Sequence, residues 1–213
     1  AALLPSIARA TQDDSADVTV SNGRVVTYSI WRPTTVRAAI VFSHGQGGKP
    51  QNYEALTTMY RDAGILIAAP LHVDSLDHPH HGEYDRRAGF GARCEDMIAG
   101  FNLLTSLAPD APKAVSGHSY GALMSLITGG GLPPPVPAPL APVTAVVAFS
   151  SAGRVPGLVN EHSYAGLTAP TLMVTGDLDT VEDAGITDWR DHLYPFETSP
   201  AGNKMALVYA GGH

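Results

Sequence analysis

Short apolar runs and stretches of helical spacing alternate along the chain, and their order predicts the architecture. Val18-Thr19-Val20 and Val25 to Ile30 read as two strands about the turn Ser21-Asn22-Gly23, an antiparallel hairpin at a sheet edge. Ala38 to Ser43 and Ile65 to Pro70 are continuous apolar runs of the kind that fill strands buried on both faces. Between them, Tyr53 to Ala63 has helical spacing and stops at Gly64, a natural helix C-terminus. Residues 71 to 92 read as a polar loop, and Cys94 to Leu107 as a helix. Lys113 to Ser116 is a short strand running into Gly117. Tyr120 to Thr128 is a helix ended by three glycines. Val143 to Phe149, Thr171 to Thr175 and Met205 to Tyr209 are further strands, with a helix expected over Asp183 to Tyr194. The pattern is that of an α/β fold: a mostly parallel central sheet, helices on both faces and an N-terminal antiparallel hairpin.

Leu132 to Pro142 carries six prolines in eleven positions and reads as an extended, polyproline-like surface loop. It does not divide the chain, because the strand pattern continues on both sides. The 213 residues fit one domain, with residues 1–16 as an N-terminal arm. Ala8-Arg9-Ala10 has the small-x-small form of a signal cleavage site, but no basic stretch precedes it, so both an exported and a cytoplasmic protein are compatible with the sequence. Cys94 is the single cysteine, which excludes an intrachain disulfide. A net charge of −7 argues against nucleic-acid partners, and no run approaches the ~20 apolar residues of a membrane helix.

In a parallel sheet, ligands sit beyond the carboxyl ends of the strands, and the chemistry-bearing residues follow strands here. Gly117-His118-Ser119-Tyr120-Gly121 is G-x-S-x-G between a strand and a helix, the setting of a nucleophile elbow with Ser119 at its tip. The Gly-rich stretch Ser43 to Gly48 can aim backbone N–H groups into the cleft. Gln46 and Tyr120 are the expected oxyanion donors through their main chain, with His44 bracing the loop. Gly176-Asp177-Leu178-Asp179 follows another strand; Asp179 has the G-x-x-D spacing of a triad acid, and Asp177 is the alternative. Gly211-Gly212-His213 follows the last strand and supplies the base. The order Ser119, Asp179, His213 is that of α/β-hydrolases.

These elements, with Arg93-Cys94-Glu95-Asp96 opening a helix, resemble the α/β-hydrolase superfamily from about residue 36 to 213. Within it the chain is similar to dienelactone-hydrolase-like and platelet-activating-factor-acetylhydrolase-like esterases. True dienelactone hydrolases carry a cysteine nucleophile; the serine here implies esterase chemistry. The resemblance implies hydrolysis of a small-molecule carboxylic ester through an acyl-enzyme, with no cofactor. An amidase, peptidase or acyltransferase, or a non-catalytic binding protein of the same fold, are the alternatives. Members normally carry a final helix after the histidine, which is not expected in a chain ending at His213. The stretch from 150 to 168 is too short for a large cap. His72, His78, His80 and His81 lie among Asp74, Asp77, Glu83 and Asp85 in a loop at the expected mouth of the site. Their spacing matches no standard metal motif, so no metal is assigned, and His72 and His118 are expected to contact substrate. The oligomeric state is not legible.

Overall fold

The computed structural model describes residues 13–131 and 141–213. The cleavage-site reading at 8–10 and most of the proline-rich loop lie outside these residues. Eight strands form one sheet in the order β1-β2-β4-β3-β5-β6-β7-β8. They are β1 Asp14–Thr19, β2 Val25–Trp31, β3 Ala38–Ser43, β4 Ile65–Pro70, β5 Lys113–His118, β6 Val146–Phe149, β7 Thr171–Gly176 and β8 Lys204–Tyr209. Strand β2 pairs antiparallel with β1 and β4, and every other pairing is parallel.

Helix α2, Arg86–Leu107, and helix α3, Tyr120–Thr128, pack on one face of the sheet, and α1, Glu54–Asp62, on the other. The larger core joins Tyr28, Val41, Met97, Leu104, Leu126 and Val146, with Tyr164 reaching it from the connection after β6. The smaller core sets Trp31, Phe42 and Ile67 against Tyr60 of α1. Buried runs such as AAIVFS and ILIAAP thus take central strands, whose two faces are both covered.

Several boundaries differ from the sequence reading: β1 begins at Asp14, four residues before Val18 and within the expected arm, and three other elements shift. Helix α2 begins at Arg86, well before Cys94, because Asp85 caps it by accepting from Ala88 N–H at 2.7 Å. Gly89 and Gly91, which obscured the helical pattern, face open space. The expected helix over 183–194 is instead two 3-10 turns, Glu182–Ala184 and Trp189–Leu193, followed by α4, Tyr194–Thr198. Gly185, at φ +75°, closes the first turn in the left-handed region, and Pro195 stands in the first turn of α4, where no N–H is required. Strand β6 starts at Val146, three residues later than expected, after Val143 N–H turns back to Ala141 O. The connection from β6 to β7 contains no helix or strand.

Candidate active site

Ser119 sits between β5 and α3 at φ 55° and ψ −120°, a conformation that costs a non-glycine residue about 1–3 kcal/mol. The surrounding packing enforces it. A Cβ on Gly121 would stand 1.9 Å from Ser43 O, and one on Gly117 would stand 2.3 Å from Gly121 O. Only glycines allow β5, β3 and α3 to meet this closely, so the strand must turn sharply into the helix with Ser119 at the tip. Ser119 N–H donates to Phe149 O at 2.9 Å, tying the elbow to the end of β6.

The loop after β3 lies directly against the elbow, since a Cβ on Gly45 would meet Ser119 Cβ at 3.4 Å. Most of its amides are engaged. Gly45 N–H donates to Tyr53 Oη at 3.0 Å, Gly47 N–H to Asp74 at 3.3 Å, and Gly48 N–H to Gly45 O at 3.1 Å. Among the described residues, Gln46 N–H makes no such bond, which leaves it available to a ligand oxygen. Tyr120 is the first residue of α3, so its amide lies at the positive end of the helix dipole beside Ser119.

The loop is held from below by groups to which the sequence assigned no role. Arg93, fully buried, forms a bidentate pair with Asp74 at 2.7 and 2.8 Å. It also donates to His44 O at 2.8 Å and to Gly45 O at 3.3 Å, and its guanidinium lies 4.3 Å from the centre of the Tyr120 ring. Burial would raise the Asp74 carboxyl, but the bonds to Arg93 and its charge outweigh that and hold it below the usual carboxylate range.

His72 lies in this support and not in the cleft. It is fully buried, with Nδ1 2.6 Å from Asp96 Oδ2 and Nε2 2.8 Å from Ser43 Oγ. The expected substrate contact is therefore corrected: hydrogen-bonding partners in the core draw this ring inward. Its backbone N–H donates to His44 Nε2 at 3.1 Å, so His44 carries its proton on Nδ1 and donates it to Gly45 O at 2.7 Å. His44 braces the loop as expected. Burial, with the nearby positive charge of Arg93, lowers the affinity of both rings for a further proton. The outer loop histidines do not gather on one point: the rings of His78 and His80 lie 5.8 Å apart, tilted by 51°, and His80 pairs with Glu83 at 3.1 Å.

Asp179 and His213 come together as the sequence suggested. His213 Nδ1 lies 2.8 Å from Asp179 Oδ1, and Asp179 is fully buried, accepting from Thr175 Oγ1 at 2.9 Å. Burial would raise its carboxyl. Hydrogen bonds from Ser150, His213 and Thr175, with the charge of His192, together hold it lower than usual. Asp177 instead accepts from Gly211 N–H at 3.0 Å and shapes the turn that carries His213. No hydrogen bond joins Ser119 to His213 among the described residues. The two are linked through His118, which adjoins Ser119 and whose ring lies 4.6 Å from that of His213.

His118 Nδ1 lies 3.0 Å from Tyr53 Oη, and burial with the neighbouring His213 lowers its pKa to about 4. A cavity of about 250 Å³ opens beside these rings, lined among others by Tyr53, His118, Phe149, Ser150 and His213. It borders His213 and does not include Ser119 in its wall. Asp179, His192 and His213 are the group among the described residues whose ligand atoms gather within 4.8 Å. His213 is hydrogen-bonded to Asp179 Oδ1 at 2.8 Å, and His192 Nε2 lies 3.0 Å from the same oxygen.

No family model matches the chain. It is 28% identical over 210 residues to a monoacylglycerol lipase of Mycolicibacterium smegmatis, covering 94% of this chain and 72% of that protein. It is likewise 28% identical over 162 residues to a monoglyceride lipase homolog of Monkeypox virus, covering 71% of this chain and 56% of the relative. Among solved structures, a thermostable carboxyl esterase from Bacillus coagulans in complex with glycerol superposes with a TM-score of 0.73 at 15% identity, over 93% of this chain and 90% of that one. A Pyrococcus furiosus esterase superposes with a TM-score of 0.69 at 15% identity, over 94% and 83%. No helix among the described residues is long and apolar enough to cross a membrane.

Proposed function

We propose that this chain, which has the α/β-hydrolase fold, cleaves small-molecule carboxylic esters through an acyl-enzyme on Ser119, with Asp179 and His213 completing the triad. The observation that carries the reading is the strained Ser119 elbow seated against a glycine loop, with a buried carboxylate bonded to His213 alongside. The likeness to esterases and lipases favours an ester over an amide as substrate. The reading takes the whole chain as one domain.

The roles follow from the hydrogen bonds. His213 commits Nδ1–H to Asp179, so Nε2 is the ring atom that takes the Ser119 proton as the hydroxyl attacks the acyl carbon. The buried carboxylate fixes that tautomer and stabilises the imidazolium that forms. The N–H groups of Gln46 and Tyr120 receive the oxyanion, at a positive helix end that needs no rearrangement. His213 then protonates the leaving alcohol, and water releases the acid by the same route. His118 sits against His213 and keeps a neutral ring over the working pH range. With no helix or strand between β6 and β7, the cleft is lightly covered and admits substrate without a large lid.

The test is turnover of a panel of short-chain p-nitrophenyl esters and matched anilides by the wild type and by Ser119→Ala. Ester cleavage by the wild type, lost in the variant and weak on the anilides, supports the reading. Activity retained by Ser119→Ala refutes it.

A further inference from the structure

A second histidine touches the triad acid. His192, in the turn before α4, is buried, and its Nε2 lies 3.0 Å from Asp179 Oδ1 and 3.2 Å from Asp179 O. Its other ring nitrogen, Nδ1, faces Ser151 O in a short hydrogen bond. All these partners are carbonyl or carboxylate oxygens, which only accept. A singly protonated imidazole would turn a lone pair toward one of them. A ring with a proton on each nitrogen satisfies both sides.

Asp179 Oδ1 therefore has two imidazoles beside it: it is hydrogen-bonded to His213 Nδ1 at 2.8 Å and lies 3.0 Å from His192 Nε2, whose own hydrogen bond runs to the main-chain carbonyl of Asp179. The other carboxylate oxygen is held by Thr175. The rings of His192 and His213 are nearly parallel, 26° apart with centres at 6.1 Å, and His118 lies on the triad histidine at 4.6 Å. His213 thus stands in a row of three rings. His192 also fastens two connections to each other. It ties the turn Trp189–Leu193 to the segment after β6, where a Cβ on Gly153 would stand 2.0 Å from Asp191 O. These connections bring Asp179 and Ser150 to the site.

We propose that His192 is a positioning residue of the hydrolytic site: a doubly protonated ring that holds Asp179 by its main-chain carbonyl, beside the carboxylate oxygen that takes His213, and so fixes the orientation of the base. The proposal rests on the hydrolase reading given above. Without the clamp, the main-chain carbonyl of Asp179 loses this partner and Oδ1 loses the imidazole beside it, so the segment carrying the carboxylate is held less firmly. His213 then points at Ser119 less often. This loss falls on turnover, because substrate does not touch His192.

The experiment compares wild type, His192→Leu and His192→Gln. It measures kcat and KM on a short-chain p-nitrophenyl ester, the rate at which a fluorophosphonate labels Ser119, and the melting temperature. Leucine fills the space without a donor, whereas the glutamine amide can still donate to Asp179. The expected result for His192→Leu is a loss of kcat of about ten- to a hundredfold with KM unchanged, the scale of a small misplacement remote from the bond broken. Labelling slows in parallel, and His192→Gln recovers most of both. A His192→Leu enzyme with wild-type kcat overturns the proposal, as does a folded His192→Gln as impaired as His192→Leu. Should His192→Leu fail to fold, His192→Gln decides alone: folded and near wild type supports the clamp, folded and tenfold slower overturns it. Nitrogen NMR of the wild type gives a check free of mutation. A buried imidazole with both nitrogens protonated at neutral pH is expected, and its absence overturns the proposal. A wild type that neither hydrolyses esters nor takes the label refutes the hydrolase reading itself, a result separate from any difference among the variants.

Discussion

Arg93→Met would remove the strut beneath the glycine loop after β3 while keeping a long apolar side chain in place. In the wild type, the buried guanidinium makes two short bonds to Asp74 and donates to the carbonyls of His44 and Gly45. The variant leaves those two carbonyls without that donor and strands the Asp74 carboxylate, which is 22% exposed and can recover water on one side only. Removing one partner of a buried ion pair costs about 3–5 kcal/mol. The loop carrying Gln46 also loses its anchor. Full loss of one oxyanion donor is worth roughly 10²–10³ in kcat, and a displaced donor should cost about ten- to a hundredfold. The assay is urea denaturation alongside steady-state hydrolysis of a p-nitrophenyl ester. The pH dependence has a definite sign. Because the folded state holds the Asp74 carboxyl below its unfolded value of about 4, the pair contributes fully above that value. The contribution is lost as pH falls through the lower folded value. The stability gap between wild type and Arg93→Met should therefore be widest near neutral pH and shrink in acid, beginning above the usual carboxylate range, because burial raises the stranded Asp74 carboxyl in the variant. A variant with wild-type stability and kcat, or a gap that closes near neutrality, would refute the reasoning.

Tyr53→Phe leaves Gly45 N–H without its acceptor and frees His118 Nδ1; a stability loss of about 1–3 kcal/mol and slower turnover are expected in the same two assays. Gly121→Ala should abolish the folded elbow, since its Cβ would overlap Ser43 O, and the yield of soluble protein with a cooperative melt reports this. Lys113→Met serves as a contrast: the amine gathers the carbonyls of Ala108, Pro109 and Ala111 after α2. Its loss should lower the melting temperature, by about 1–3 kcal/mol in stability, and leave kcat unchanged.

What could be read from the sequence is what local chemistry writes into consecutive residues. The apolar runs of β3 and β4 state their burial directly, and the glycines around Ser119 state the sharpness of its turn. Asp179 and His213 were legible because each follows a strand at a fixed spacing, even though 34 residues separate them. Roles decided by contacts between distant segments were not legible. His72 reads as a substrate contact in a histidine-rich loop, and only the positions of Ser43 and Asp96 show that it faces inward. His192 lies in a stretch whose apolar spacing imitates a helix; its partner carbonyl is 41 residues away. Arg93 was visible as part of a motif, but its purpose depends on where Asp74 and the glycine loop meet. The likeness found is to lipases and esterases at large, and the narrower kinship to dienelactone-hydrolase-like esterases rests on the motifs alone.

The central claim is that Ser119 is the nucleophile. Its most direct measurement is peptide mass spectrometry of the folded protein after reaction with a fluorophosphonate, run beside heat-unfolded protein and Ser119→Ala. The account predicts a single adduct on Ser119 in the folded wild type, none in the unfolded protein or the variant, and loss of ester hydrolysis in step with labelling. An adduct on another residue, or an unlabelled Ser119 in protein that still hydrolyses esters, would contradict it.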